Sequence, residues 1–172
     1  MVRDFEDNEF PLAYFISFRC YGTWLHGDDR GSTNRRQNRY GTPRLPPNLP
    51  LQRAELKHLR HPPVRLNSRQ RPAVEAAIRE VCATRGYVLF AINVRTNHVH
   101  SVVSAACKPE RVLHAFQAYA TRRLRREGLL SSEIKPWARH GSTPYLWKER
   151  HVERAINYVM NGQGDDLPRF DD

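Results

Sequence analysis

His98 and His100, two positions apart in "NHVH", and Tyr158 in "INYVMNGQG" are the residues of this 172-residue chain whose types could do chemistry together. In an extended segment side chains alternate, so His98, His100 and Val102 share one face while Val99, Ser101 and Val103 share the other. Two neutral imidazole nitrogens side by side can hold a divalent ion and leave coordination positions open to polarise a phosphoryl oxygen. An H-x-H pair is equally compatible with two half-buried strand histidines that bind nothing. The nucleophile of such a site would be a hydroxyl, because none of Cys20, Cys82 and Cys107 has an activating neighbour in sequence. Tyr158, beside the apolar stripe of the last helix, is the candidate, although the same position suits a core tyrosine with a satisfied hydroxyl. An ordinary phenol, with a pKa of about 10, needs a metal or a base to attack near neutrality. Tyr119 is the rival, and stacking on a base or packing on a sheet edge explains it at least as well.

The charge balance says what such a site would meet. With 28 Lys and Arg against 18 Asp and Glu, the chain carries +10 at neutral pH and a pI near 10.1, which points to a polyanionic partner. A ribosomal protein or a binder of anionic membranes would share that charge. Three widely spaced cysteines without a C-x-x-C argue against a disulfide framework and a zinc ribbon, and read as reduced cytosolic thiols. The acidic start "MVRDFEDNEF" and the lack of any long uncharged apolar run lead us to expect a cytoplasmic protein, neither secreted nor membrane-spanning. The length suits a single domain over residues 1–172.

Regular elements must position the histidines and the tyrosine. "LAYFISFRCYGTW" (Leu12 to Trp24) alternates and is aromatic, which predicts a first strand. Residues 27–63, crowded with Gly, Pro, Asn and Arg, read as a long loop or insertion. A cap at Asn67 or Ser68, with Val74, Ala77, Ile78 and Val81 at helical spacing and Gly86 as the stop, predicts the first helix. "YVLFAINV" and "HVHSVVSA" form an antiparallel hairpin across Arg95-Thr96-Asn97. A second helix opens at Pro109, carries the stripe Leu113, Phe116, Ala120 and Leu124, and ends at Gly128. Its other side holds Arg122, Arg123, Arg125 and Arg126, which we read as a phosphate-contacting face over a merely solvated one. After a loop through Trp137, "GSTPYLWKE" gives a short strand. The last helix, Arg150 to Gly162, buries Val152, Ala155, Ile156 and Val159, and residues 165–172 form an acidic tail. The predicted fold is α+β: a ferredoxin-like βαββαβ antiparallel sheet with helices on one face, plus an extra C-terminal helix carrying the tyrosine.

"NHVH" on a strand, then "YATRRLRREG", "STPYLWKE" and "INYVMNGQG" in that order, resemble the HUH single-tyrosine transposases, and among them the REP-associated tyrosine transposases and related insertion-sequence proteins of bacteria. The likeness runs from about Leu12 to about Asp166. It implies that His98 and His100 bind Mg2+ or Mn2+ and that Tyr158 attacks single-stranded DNA at the foot of a hairpin. That attack would leave a 5′-phosphotyrosine and a free 3′-hydroxyl, which later reverses the step. Family members often complete the metal site with Gln or Asn one helical turn after the tyrosine. Here Gly162 stands four after Tyr158, with Asn161 three after it and Gln163 five after it, and of the two we favour Gln163 as the third ligand. Arg122, Arg123, Arg125, Arg126 and Tyr119, with Arg35, Arg36 and Arg39, would track phosphates and stack bases. Both monomers and homodimers are compatible with the resemblance, as is a place on the nucleoid. No G-x-x-x-x-G-K-[ST] phosphate loop occurs, in keeping with chemistry that needs no nucleotide.

Two other readings make different demands. A catalytically silent nucleic-acid-binding module on the same scaffold would need exposed aromatics on its central strands, for which Phe90 is the main candidate. A zinc hydrolase would pair His98 and His100 with Asp28 or Asp29 and would not need Tyr158.

Overall fold

The computed structural model describes residues 10–24 and 46–162. Expectations that fall on Asp28, Asp29, Arg35, Arg36, Arg39, Gln163 and the acidic tail lie outside the described residues. The elements are β1 (Ala13–Cys20), α1 (Leu49–Lys57), α2 (Gln70–Arg85), β2 (Val88–Val94), β3 (His98–Ser104), α3 (Pro109–Arg126), β4 (Trp137–Ser142), β5 (Tyr145–Leu146) and α4 (Glu149–Asn161). The strands pair antiparallel in the order β2-β3-β1-β4, the ferredoxin-like arrangement, and β5 pairs with β1 beside Ala13 and Tyr14.

Alternation along β1 sets the two faces of the sheet. Tyr14, Ile16, Phe18 and Cys20 are buried with Val99 and Val103 against the apolar stripes of α2 and α3. Ala13 and Phe15 point the other way and are buried with Ala91, Val102 and Leu146 against Ala155 and Val159 of α4. The C-terminal helix therefore closes the face opposite the other two packed helices. Because Val102 faces α4, period-two alternation puts His100 and His98 on that face too. This placement matters more for function than any other feature of the fold.

Local chemistry explains most boundaries. Asn67 Oδ1 accepts from the backbone N–H groups of Arg69 and Gln70, while Gln70 Oε1 accepts from the Asn67 N–H, a reciprocal cap that starts α2. Gly86, at φ 69°, ends it in the left-handed conformation. Two expectations need correction. The 27–63 segment is not loop throughout: Asn48 caps the Leu51 N–H and Pro50 sits in the first turn, where it costs no hydrogen bond, so the exposed helix α1 forms. Trp137 is not in a loop but opens β4. It stands across from Cys20, packs edge-on against Phe18 at 5.0 Å, and donates its indole N–H to Thr121 Oγ1 at 3.0 Å.

Gly141 in β4 lies opposite Phe18, and a Cβ there would sit 2.5 Å from the Ser17 carbonyl oxygen and 2.9 Å from Leu113. The nearer atom is backbone and cannot swing aside. Gly141→Ala is expected to lose about 1–3 kcal/mol of stability, measured as a lowered midpoint in urea unfolding.

Candidate active site

The hairpin turn delivers both histidines to one place. β3 begins at His98 directly after the turn, where the Arg95 N–H donates to the His98 carbonyl at 2.8 Å. The two imidazole centroids are 4.6 Å apart. His98 Nδ1 donates to Asn97 Oδ1 at 2.7 Å, which places its lone pair on Nε2. His100 Nδ1 lies 2.6 Å from Ser17 Oγ, directly across on β1, and with the serine accepting, the His100 lone pair also falls on Nε2. Such outer partners fix the tautomer and the angle of imidazoles that ligate metals.

His100 is 5% exposed. Burial, and secondly the neighbouring charges of His98 and Arg19, push its pKa down to about 3, so the ring is neutral at neutral pH. That is the ligating form of imidazole. The donor set thus fits two ligands of a divalent ion with the remaining positions open. Among the described residues no group of three or more His, Cys, Asp or Glu could hold an ion.

Tyr158 reaches the same spot from α4. Its ring meets His100 edge-on at 5.6 Å and Phe15 edge-on at 5.9 Å, while Phe15 stacks on His100 at 5.4 Å. His98, His100 and Tyr158 therefore gather on one face of the sheet within a single chain. Arg19 stands across from His98 on β1, its guanidinium stacked 3.5 Å from the centroid of Trp24. Sequence reasoning missed Ser17 and Phe15, whose only trace was their parity with the histidines once β1 and β3 are paired.

The arginines of α3 are elsewhere. That helix packs on the opposite face of the sheet, where Arg122 lies 4.7 Å over the Tyr119 ring and Arg85 5.9 Å over it, beside a groove of about 810 Å3 that also takes in Lys108 and Arg111. Arg126 is exposed, whereas Arg125 Nη2 donates to the Ile134 carbonyl at 3.2 Å. Arg123 forms ion pairs with Glu127 and, at 3.6 Å, with Glu80. Tyr119 is thus not brought to the histidine pair.

The model of the family described as "Transposase IS200 like" matches residues 60–152, more than half of the chain and including the hairpin, α3 and both late strands. The chain belongs to this family. Among solved structures, one described as a transposase of Deinococcus radiodurans R1 matches 96% of this chain and 98% of its own, with a TM-score of 0.51 and 12% identity. At that identity the likeness is one of fold. The structure of a REP-associated tyrosine transposase bound to a REP hairpin aligns with 86% of this chain at 12% identity and a TM-score of 0.49, and this chain spans 63% of that one. No curated protein sequence matches the IS200-like transposase. Among its described residues no helix is long and apolar enough to cross a membrane.

Proposed function

We propose that this IS200-like transposase cleaves and rejoins single-stranded DNA at the foot of hairpins, REP-like in kind, with Tyr158 as nucleophile and His98 and His100 as metal ligands. The observation that carries the reading is the 5.6 Å approach of the Tyr158 ring to a buried, neutral His100. A divalent cation held by the two imidazoles, Mg2+ or Mn2+, would supply Lewis-acid polarisation of the scissile phosphate and charge stabilisation in the transition state. Gln163 remains our candidate for a further ligand. The phenol of Tyr158 gives up its proton to water as its oxygen bonds to phosphorus, the bond from phosphorus to the 3′ oxygen breaks, and that oxygen takes up a proton and leaves as a hydroxyl. The 5′-phosphotyrosine keeps the phosphodiester energy, so the 3′-hydroxyl of the same or another strand can reverse the reaction. Phe15 and Asn97 hold the rings that must face the phosphate, and Ser17 sets the angle of His100.

DNA then contacts two regions. The reacting strand meets the face covered by α4, and flanking phosphates reach the α3 face around the sheet edge, where Arg122, Arg125 and Arg126 present charge and Tyr119 with Arg122 offers a stacking platform. Arg122→Ala and Arg126→Ala are each expected to weaken binding of unrelated single strands alike and to lower the salt slope of log K by about 0.7. Arg123→Ala should change neither by much, since its charge is already answered by Glu80 and Glu127. Fluorescence anisotropy across a salt series measures both.

The test of the reaction is a covalent one. Incubating the protein with a 5′-overhanging hairpin oligonucleotide and Mg2+ or Mn2+ should give a protein–DNA adduct that survives a denaturing gel, and no adduct would overturn the proposal. The silent-module alternative gains little, because Phe90, though 46% exposed, lies on the edge strand β2 and not in the centre of the sheet.

A further inference from the structure

The tyrosine helix meets the sheet along a short apolar seam. His151, Ala155 and Val159 of α4 are buried, with Val152, Ile156 and Tyr158 partly so, and two of the three that are buried are small or β-branched. Tyr158 sits in the last full turn, close to where α4 ends at Asn161. Carbonyls in a last turn have no helical N–H to accept from, so such a turn frays unless something outside the helix bonds to it. The Gly162 N–H donates to the Tyr158 carbonyl at 2.9 Å, and a further bond to this turn comes from the sheet: Asn93 Nδ2 donates to the Val159 carbonyl at 3.0 Å. Asn93 stands directly across from His100 in the β2–β3 register, and Val159 is the residue after Tyr158.

We propose that Asn93 is a positioning residue for the phenol, a clasp that fixes the end of the tyrosine helix to the same hairpin that carries the two histidines. The role rests on the strand-transfer reading above, but the clasp is a property of the fold. Through it, the strand that sets His100 also sets the height of Tyr158 above the sheet. Without it the helix remains docked through Ala155 while the turn that carries Tyr158 and Val159 shifts relative to the imidazoles. Misplacing a reacting atom by about 1 Å can cost on the order of 100-fold in rate. In this role Asn93 acts through the end of α4 and not on the reacting atoms.

The test uses the full chain with Asn93→Ala and Asn93→Gln, the second keeping an amide donor. Amide hydrogen exchange without DNA should speed up at least 10-fold over residues 156–162 in Asn93→Ala, with α2, α3 and β3 unchanged, and should return towards wild type in Asn93→Gln. With DNA and Mn2+, the adduct-forming rate at saturating DNA should fall 10- to 100-fold in Asn93→Ala while the half-saturating DNA concentration and Mn2+ affinity stay within twofold. Unchanged exchange over 156–162 overturns the clasp. Faster exchange with an unchanged adduct rate, or a parallel loss of Mn2+ affinity, overturns the positioning role. Should wild type form no adduct at all, the strand-transfer reading and the positioning role fail together, and exchange still decides whether Asn93 holds the helix.

Discussion

Tyr158→Phe is expected to abolish the protein–DNA adduct, a loss of about 10³-fold or more, with the fold and the binding of single-stranded DNA intact. The substitution removes one oxygen and keeps the ring that packs edge-on against Phe15 and His100. Several other described groups are poorly placed to take over the attack. The thiols of Cys20 and Cys82 are pushed up by burial to about 12 and about 11, so neither offers a thiolate near neutrality. Tyr14 is likewise pushed up to about 12, by burial first and then by Tyr145, and its hydroxyl donates to the Cys107 carbonyl. Tyr119 lies across the sheet with Arg122. Tyr119→Phe should therefore keep full adduct formation while weakening binding slightly. A denaturing gel with labelled hairpin DNA reads both variants, and an adduct that persists in Tyr158→Phe would remove the tyrosine from the mechanism. Persistence of cleavage without an adduct would instead favour a metal-activated water.

The elements that carry this chemistry were legible where the signal is local. Alternation in β1 and the capping residues of α2 fix strands and helices through contacts a few residues apart, and the H-x-H period alone puts both histidines on one face. What the sequence could not show is which face meets which helix. That choice depends on pairing β1 between β3 and β4 and on a helix returning from the far end of the chain. Ser17 illustrates the limit: in "AYFISFRC" it looks like a solvent-side break in an apolar run, and only the register with His100 gives it a partner. Asn93 is the same case on the other side of the hairpin. Charge runs mislead in a different way. Four arginines crowded near the end of α3 suggest one phosphate-tracking face, yet a helix turns about 100° per residue, so the crowding spreads them around it. Arg123 faces Glu80 of α2 while Arg122 faces Tyr119.

His100→Gln should reduce the metal-dependent adduct by a factor on the order of 10²–10⁴, the equivalent of several kcal/mol of transition-state stabilisation. His98→Gln should act in the same direction. Glutamine is chosen over alanine because His100 is buried between Phe15 and Ser17, and a cavity there would confuse a loss of chemistry with a loss of packing. Two histidines that served only the core would predict a lowered unfolding midpoint and an adduct rate that falls no further than the folded fraction. A metal centre predicts the reverse emphasis: folding and single-strand binding near wild type, and Mn2+ affinity reduced at least tenfold when titrated without DNA. The neutrality of His100 sharpens the distinction. A cation gains from a buried imidazole kept from taking a proton, as does a hydrogen-bond donor, because a protonated ring has no lone pair left to give, and the Mn2+ titration tells the two apart. If both glutamine variants bind Mn2+ as wild type does and still form the adduct, the ion sits elsewhere and the convergence of Tyr158 on His100 is packing alone.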